Sequence, residues 1–203
     1  MTKSPAKNHF LKNLFTILFF CFLAVSLGSC SGGGGGGSSS PTPSITTWAK
    51  TFGGVNEDVA HSVQQTTDGG YIVAGGTSSS GAGFADFWII KLKPNGDIDW
   101  QKTFGGANDD VAYSIQQTSP DGGYIVAGQS SSLGNPLGDI WILKLKLNGD
   151  IDWQKTYGGT GSSTANCIRQ TLDGGYIVAG ETSSSGAGYA DFWILKIDEN
   201  GNI

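Results

Sequence analysis

The sequence predicts an all-β fold: three copies of one four-stranded antiparallel unit behind an export signal and a flexible linker. Three observations carry this reading. Trp48, Trp100 and Trp153 open the phrases WAKTFGG, WQKTFGG and WQKTYGG at spacings of 52 and 53. Tyr71, Tyr124 and Tyr176 follow a DGG triplet in YIVAG at spacings of 53 and 52, and Trp88, Trp141 and Trp193 sit in DFWIIKL, DIWILKL and DFWILKI at the same two spacings. A fixed period near 50 residues is the signature of stacked repeats. Pro120, inserted in the turn sequence TSPDGG, accounts for the one-residue difference.

The chain opens on an address. Lys3, Lys7 and Lys12 form a basic start without an acid, and residues 14–27 read LFTILFFCFLAVSL. Fourteen residues fall short of the roughly 20 that span a bilayer, and match the apolar region of a secretory signal. The run ends in Leu27-Gly28-Ser29-Cys30. This segment resembles the lipobox of bacterial lipoproteins. The resemblance implies cleavage after residue 29, diacylation of Cys30 (palmitate being the usual acid) and, with Ser31 rather than Asp behind it, sorting to the outer membrane of a Gram-negative bacterium. Two or three acyl chains would give a stable membrane anchor.

Residues 30–44 hold the expected lipidated Cys and a linker, SGGGGGGSSS followed by PTPS. Gly and Ser bury no apolar surface, so this stretch reads as a tether holding the next domain about 15–20 Å from the lipid. It is no phosphate loop, because no Lys follows and neither a strand nor a helix flanks it.

Residues 45–203 hold the repeats, bounded at about 48–99, 100–152 and 153–203. In the first unit AHSVQQT alternates around Val63, Asp68-Gly69-Gly70 turns, and YIVA is β-branched and aromatic. A Ser/Gly loop leads to DFWIIKLK, Asn95-Gly96 is a two-residue hairpin signal, and IDWQKTF is the fourth strand. No stretch has helical periodicity with caps. Four short strands in about 50 residues fit a propeller blade, and WII and YIV, apolar on both faces, fit a sheet covered on both sides. The six repeat tryptophans, Trp48, Trp88, Trp100, Trp141, Trp153 and Trp193, are expected to fill the wedges between blades. The units resemble the bacterial β-propeller repeats often called SBBP and, more loosely, kelch repeats. That resemblance implies the fold, while propellers serve many functions.

The phase of the repeat places an orphan fourth strand at residues 45–52 and stops the third unit before its own fourth strand. Three blades leave an open or partial propeller with a bare apolar face at each end, which predicts self-association. Two readings fit: a segment of a longer array, favoured because the end of the chain carries no capping departure, or two chains in a six-blade ring.

Composition bounds the chemistry. The chain carries a net charge of −5 with a pI near 4.8, and loss of the lysine-bearing signal makes the remainder more acidic. That argues against a nucleic-acid partner held by charge. Beyond the signal only Cys30 and Cys167 remain, and with Cys30 lipidated no internal disulfide can form. Two loops of each unit share one rim, where GGVNEDV and GGANDDV place Asn56, Glu57, Asp58, Asn108, Asp109 and Asp110. This rim is the candidate surface for a protein or glycan partner. The plainer reading is that these residues make turns. The third unit has Ser162 and Ser163 in place of the acids, which speaks against a symmetric metal ring, and no calcium-loop spacing occurs. Asp86, Asp139 and Asp191 recur in every unit, which favours a structural task over chemistry. The departures from symmetry are His61, at the position of Tyr113 and Asn166, Cys167, at the position of Ser62 and Ser114, and Arg169, at the position of Gln64 and Gln116. None falls in a catalytic arrangement. The expectation is a non-catalytic, lipid-anchored interaction or scaffold module without cofactor or metal. The competing reading is a fragment of a larger propeller enzyme or of a glycan- or metal-binding protein.

Overall fold

The computed structural model describes residues 46–186 and 189–203. The chain divides into Met1–Ser44 and Ile45–Ile203, and every described residue belongs to the second unit. The signal, Cys30 and the linker therefore lie outside the described residues. Among the described residues no helix is long and apolar enough to cross a membrane.

Among the described residues eleven strands form three antiparallel sheets. The first is β1 (Asp58–Gln65), β2 (Tyr71–Thr77), β3 (Asp86–Leu92) and β4 (Ile98–Phe104). The second is β5 (Asp110–Gln117), β6 (Tyr124–Ser130), β7 (Asp139–Leu145) and β8 (Ile151–Tyr157). The third is β9 (Ser163–Gln170), β10 (Tyr176–Thr182) and β11 (Asp191–Ile197). In each sheet strand order follows chain order, and none of the sheets closes on itself. These are the blades of a partial β-propeller. The first strands β1, β5 and β9 pack on one another in turn.

Each pair of neighbouring blades shares one core. Ile72, Ala74, Phe87 and Ile89 of the first blade are fully buried against Ile115, Val126, Trp141 and Leu143 of the second. Phe87 and Trp141 pack with ring centroids 4.6 Å apart and planes tilted by 48°. The second step repeats this: Ile125, Ala127, Ile140 and Ile142 bury against Ile168, Val178, Leu195 and Trp193. The middle blade is covered on both sides, so every residue of β7 is buried. In β11, which has nearly the same sequence, alternate residues are exposed: Phe192 is 96% and Ile194 59% exposed. The difference lies in the cover, not in the strand.

The outer strand of each blade also reaches forward. Trp100 packs over Gly149 in the β7–β8 hairpin and edge-on to Tyr124, and Trp153 does the same over Gly201 and Tyr176. Lys102 pairs with Asp150 of the next hairpin. The outer-strand tryptophans Trp100 and Trp153 pack against the shared cores, as expected, and do more besides. They cap the neighbour's hairpin turn, where Gly leaves room for an indole.

Residues 46–52 depart from expectation. They form no ladder, because no strand lies beside them to take their backbone hydrogen bonds. Their side chains nonetheless hold the place of an outer strand from a preceding blade. Trp48 packs over Gly96, meets Tyr71 at 5.8 Å and donates through Nε1 to the Pro94 carbonyl at 3.1 Å, while Lys50 pairs with Asp97.

Two local devices recur in each blade. A β-bulge lies in every first strand, at His61, Tyr113 and Asn166, opposite Gly75, Gly128 and Gly180. A Cβ at those glycines would run into the carbonyls of Val59, Val111 and Thr164. The final Gly of YIVAG thus exists for a bulge, as glycines within strands often do. The second device is a lysine inside the apolar third strand. Lys91 and Lys144 have side chains only 4% and 6% exposed and pair with Asp68 and Asp121 of the DGG turns. Lys196 pairs likewise with Asp173, but on the uncovered third blade it is 45% exposed.

Gly128→Ala is expected to lower stability by about 1–3 kcal/mol through overpacking against backbone, read as a drop in denaturant midpoint. Asp68→Asn or Asp121→Asn leaves a buried ammonium without its counterion and is expected to cost about 1–3 kcal/mol; Asp173→Asn, beside an exposed lysine, should shift the denaturant midpoint far less. The Lys91 ammonium holds the Asp68 carboxyl down at about 2, and hydrogen bonds from Thr171 and Lys196 do so for Asp173. Because the folded values lie below the ordinary carboxylate value, this stabilisation is complete above about pH 5 and lost as pH falls from about 4 towards 2. An acid titration of Tm measures it.

Candidate functional site

The fourth-to-first and second-to-third loops of each blade do meet on one rim. Asn56 donates through Nδ2 to the Ser78 carbonyl at 3.0 Å, and its backbone N–H donates to Ser79 Oγ at 3.0 Å. Asn108 repeats both bonds with Ser131 and Ser132. Asp58 accepts from the Gly54 N–H at 2.8 Å, from Ser79 Oγ at 2.7 Å and from Thr77. Those bonds, Thr77 foremost, hold its carboxyl below the ordinary range. Asp110, fully buried, accepts from the Gly106 N–H at 2.8 Å and from Ser132 Oγ at 2.7 Å. In the third blade Ser163 and Thr182 exchange a hydroxyl bond at 2.8 Å.

The six rim residues therefore divide. Asn56, Asp58, Asn108 and Asp110 are spent on stapling the two loops together, as the turn-making reading expects. Glu57 and Asp109 expose their side chains, and contribute carbonyls that accept from Ser78 and Ser131. Among the described residues no three His, Cys, Asp or Glu side chains gather as metal ligands.

The recurrent aspartates before each third strand tie down the loop behind them: Asp86 accepts from the Ala82 N–H at 2.6 Å and Asp139 from the Asn135 N–H at 2.9 Å. Both carboxylates are buried, and each keeps one oxygen without a hydrogen-bond partner among the described residues. Burial first, and the nearby Asp110 charge second, push the Asp86 carboxyl up.

The bulges bring together what the sequence kept apart. A bulge residue stands out of the ladder, and the bulges of successive first strands align across blades. His61 and Tyr113 meet with ring centroids 5.0 Å apart and planes tilted by 49°, and Asn166 holds the same position one blade on. Asp109 and Glu181 lie close enough to act electrostatically on Tyr113; burial and then these two charges push its hydroxyl up. His61 loses proton affinity through burial against its neighbours. Sequence reading placed His61, Tyr113 and Asn166 at one variable position of the repeat but did not bring their side chains together. The signal that could have found the row was the variation at 61, 113 and 166 within an otherwise repeating strand.

Cys167 is a free, half-buried thiol on β9. Arg169 donates through Nη1 to the Ile168 carbonyl at 2.6 Å and to Ser114 Oγ at 3.3 Å, so it bridges the second and third blades rather than lying free on the surface.

The family described as "Domain of unknown function (DUF5122) beta-propeller" matches residues 68–99. The matched stretch runs from the β1–β2 turn through β2, β3 and the hairpin into β4, the part that recurs in the second blade and, up to the hairpin turn, in the third. It agrees with the propeller blades seen in the fold. No curated protein matches the chain.

Asp110→Ala is expected to cost about 1–3 kcal/mol, because two half-buried donors, Gly106 N–H and Ser132 Oγ, lose their buried acceptor. Asp109→Ala, whose exposed side chain staples nothing, should stay within about 0.5 kcal/mol of the parent. Chemical denaturation of the two variants side by side checks the division of the rim.

Proposed function

We propose that the chain is an envelope-anchored lipoprotein whose β-propeller repeats act as a non-catalytic interaction module. The anchor rests on the basic start, the apolar run 14–27 and the small residues before Cys30. The interaction role rests chiefly on the row of bulges. His61, Tyr113 and Asn166 hold the one position of the first strand at which all three copies differ; His61 and Tyr113 meet across the blades, Asn166 holds the same position one blade on, and the charges of Asp109 and Glu181 act on Tyr113. An aromatic pair next to amide and carboxylate groups suits a polar, ring-bearing partner such as a glycan. Sugar faces stack on the rings, and the hydroxyls find acceptors. The repeat-conserved polar groups are engaged within the blades, which supports reading them as framework.

Two measurements test the two halves. In a Gram-negative host fed labelled palmitate, the full chain is expected to take up label and fractionate with outer membrane, while Cys30→Ser does neither; equal behaviour of the two retires the anchor. On a glycan array the full chain is expected to give signals that Tyr113→Ala removes without a change in Tm. A blank array for both retires the glycan reading.

A further inference from the structure

We propose that the cavity between the second and third blades, on the rim of the DGG turns, is a binding site for a primary alkylammonium group, carried by a free polyamine or by the lysine side chain of a peptide. The inference depends on neither the lipid anchor nor the row of bulges.

Two cavities of one design lie at successive steps of this rim. One blade contributes the aspartate of its DGG turn, the lysine of its third strand and the Asp-Trp pair at the start of its fourth. The next blade contributes the tyrosine of YIVAG and its hairpin. Between the first and second blades these are Asp68, Lys91, Asp99, Trp100 and Tyr124, around a cavity of about 490 Å³. Between the second and third they are Asp121, Lys144, Asp152, Trp153 and Tyr176, around about 280 Å³. The indole meets the phenol edge-on in both, at 5.8 and 6.1 Å.

The hairpins differ. Where the second blade has Lys146 and Leu147, the third has Asp198 and Glu199. Around the first cavity the charges cancel, because Lys91 pairs with Asp68 and Lys146 joins Asp99 in the lining. Around the second, Lys144 pairs with Asp121. Asp152 and Glu199 are left over, both exposed and neither ion-paired with a described residue. Asp198 is spent on the turn, where its carboxylate accepts from the backbone N–H groups of Asn200 and Asn202 at 2.9 and 2.7 Å. Trp153 Nε1 donates to the Glu199 carbonyl at 3.1 Å, which holds Glu199 at the lip of the cavity.

A buried phenol also lines this cavity. Tyr176 is 2% exposed, and no described residue hydrogen-bonds its hydroxyl. Burial first, then the charges of Asp121, Glu199 and Asp152, push that hydroxyl up to about 12. At neutral pH it stays uncharged, with an oxygen free to accept. Carboxylates from a turn, a strand and a hairpin thus surround one unpartnered oxygen. Such an acceptor-rich site suits a group that only donates, and an ammonium carries three donors and no acceptor. A bare metal ion does not suit it, because among the described residues no three His, Cys, Asp or Glu side chains gather as ligands. An ammonium on an alkyl chain fills a wider space, and aromatic walls add to the attraction for a cation.

Calorimetric titration of the full chain in mild detergent at neutral pH tests this. The probes are spermidine and, separately, the tripeptide Gly-Lys-Gly blocked at both ends. Binding of spermidine alone assigns a free polyamine, and binding of the peptide assigns a lysine side chain. Glu199→Lys, at an exposed position, is expected to weaken binding at least about tenfold with Tm unchanged. Tyr176→Phe, which keeps the ring and removes the acceptor, should weaken it as well. Asp99→Lys makes the same charge reversal at the neighbouring cavity and should leave the affinity within about twofold, because distant exposed charges are screened. Binding of neither probe, full affinity in Glu199→Lys or Tyr176→Phe, or an equal loss in Asp99→Lys, the mark of diffuse attraction to an acidic chain, would each overturn the proposal.

Discussion

Each sheet of this protein is apolar on both sides. That single constraint organises the molecule, because a four-stranded sheet of seven-residue strands cannot hide two apolar faces by itself. Stacking is the only arrangement open to it, and the right-handed twist of each sheet turns a stack into an arc. The middle blade shows the constraint met, with β7 buried along its whole length. The outer two blades show it half met, and their free faces carry the same residue types that are fully buried one step inward.

The charged and polar residues follow from the same requirement. A lysine within an apolar strand is costly unless paired, so Lys91 and Lys144 reach the aspartate of the DGG turn, 23 residues earlier in each case. Polar pairs such as Lys102 with Asp150 and Gln64 with Gln117 knit one blade to the next along the edges of each shared core. These contacts fix the angle between blades while the apolar face supplies the driving force. The loop rim then inherits its shape: Asp58 and Asp110 are consumed in holding loops to the strands they connect, and what stands free is set by the bulges.

Much of this was legible in the sequence. The period, the four-strand unit, the turn at Asn95-Gly96 and the double-sided apolar strands came directly from spacing and residue type. β4 runs over the residues expected, and the first and third strands differ only at their ends. Other features were not legible, for identifiable reasons. The tryptophans of the outer strands read as core and do pack against it, but that they also cap a hairpin of the next blade was hidden, because sequence does not show which element a long side chain leans towards. The Lys–Asp pairs recur at constant spacing but join residues in different strands, so they look like independent charges. The bulge at 61, 113 and 166 left no mark except variation, and the glycine opposite it read as part of a generic YIVAG strand. Residues 46–52 carried a strand's sequence without a strand's neighbour, and hydrogen bonding needs both.

Among the described residues the substantial contacts between blades join adjacent ones: first with second, second with third. Such a molecule has no keystone. A duplication of one 52- or 53-residue unit at the level of the gene would insert a ready-made neighbour between two existing ones, altering neither of the faces it separates. Length in this architecture can therefore drift by whole units over evolutionary time, with function on the rim added or lost a loop at a time while the packing rule stays the same.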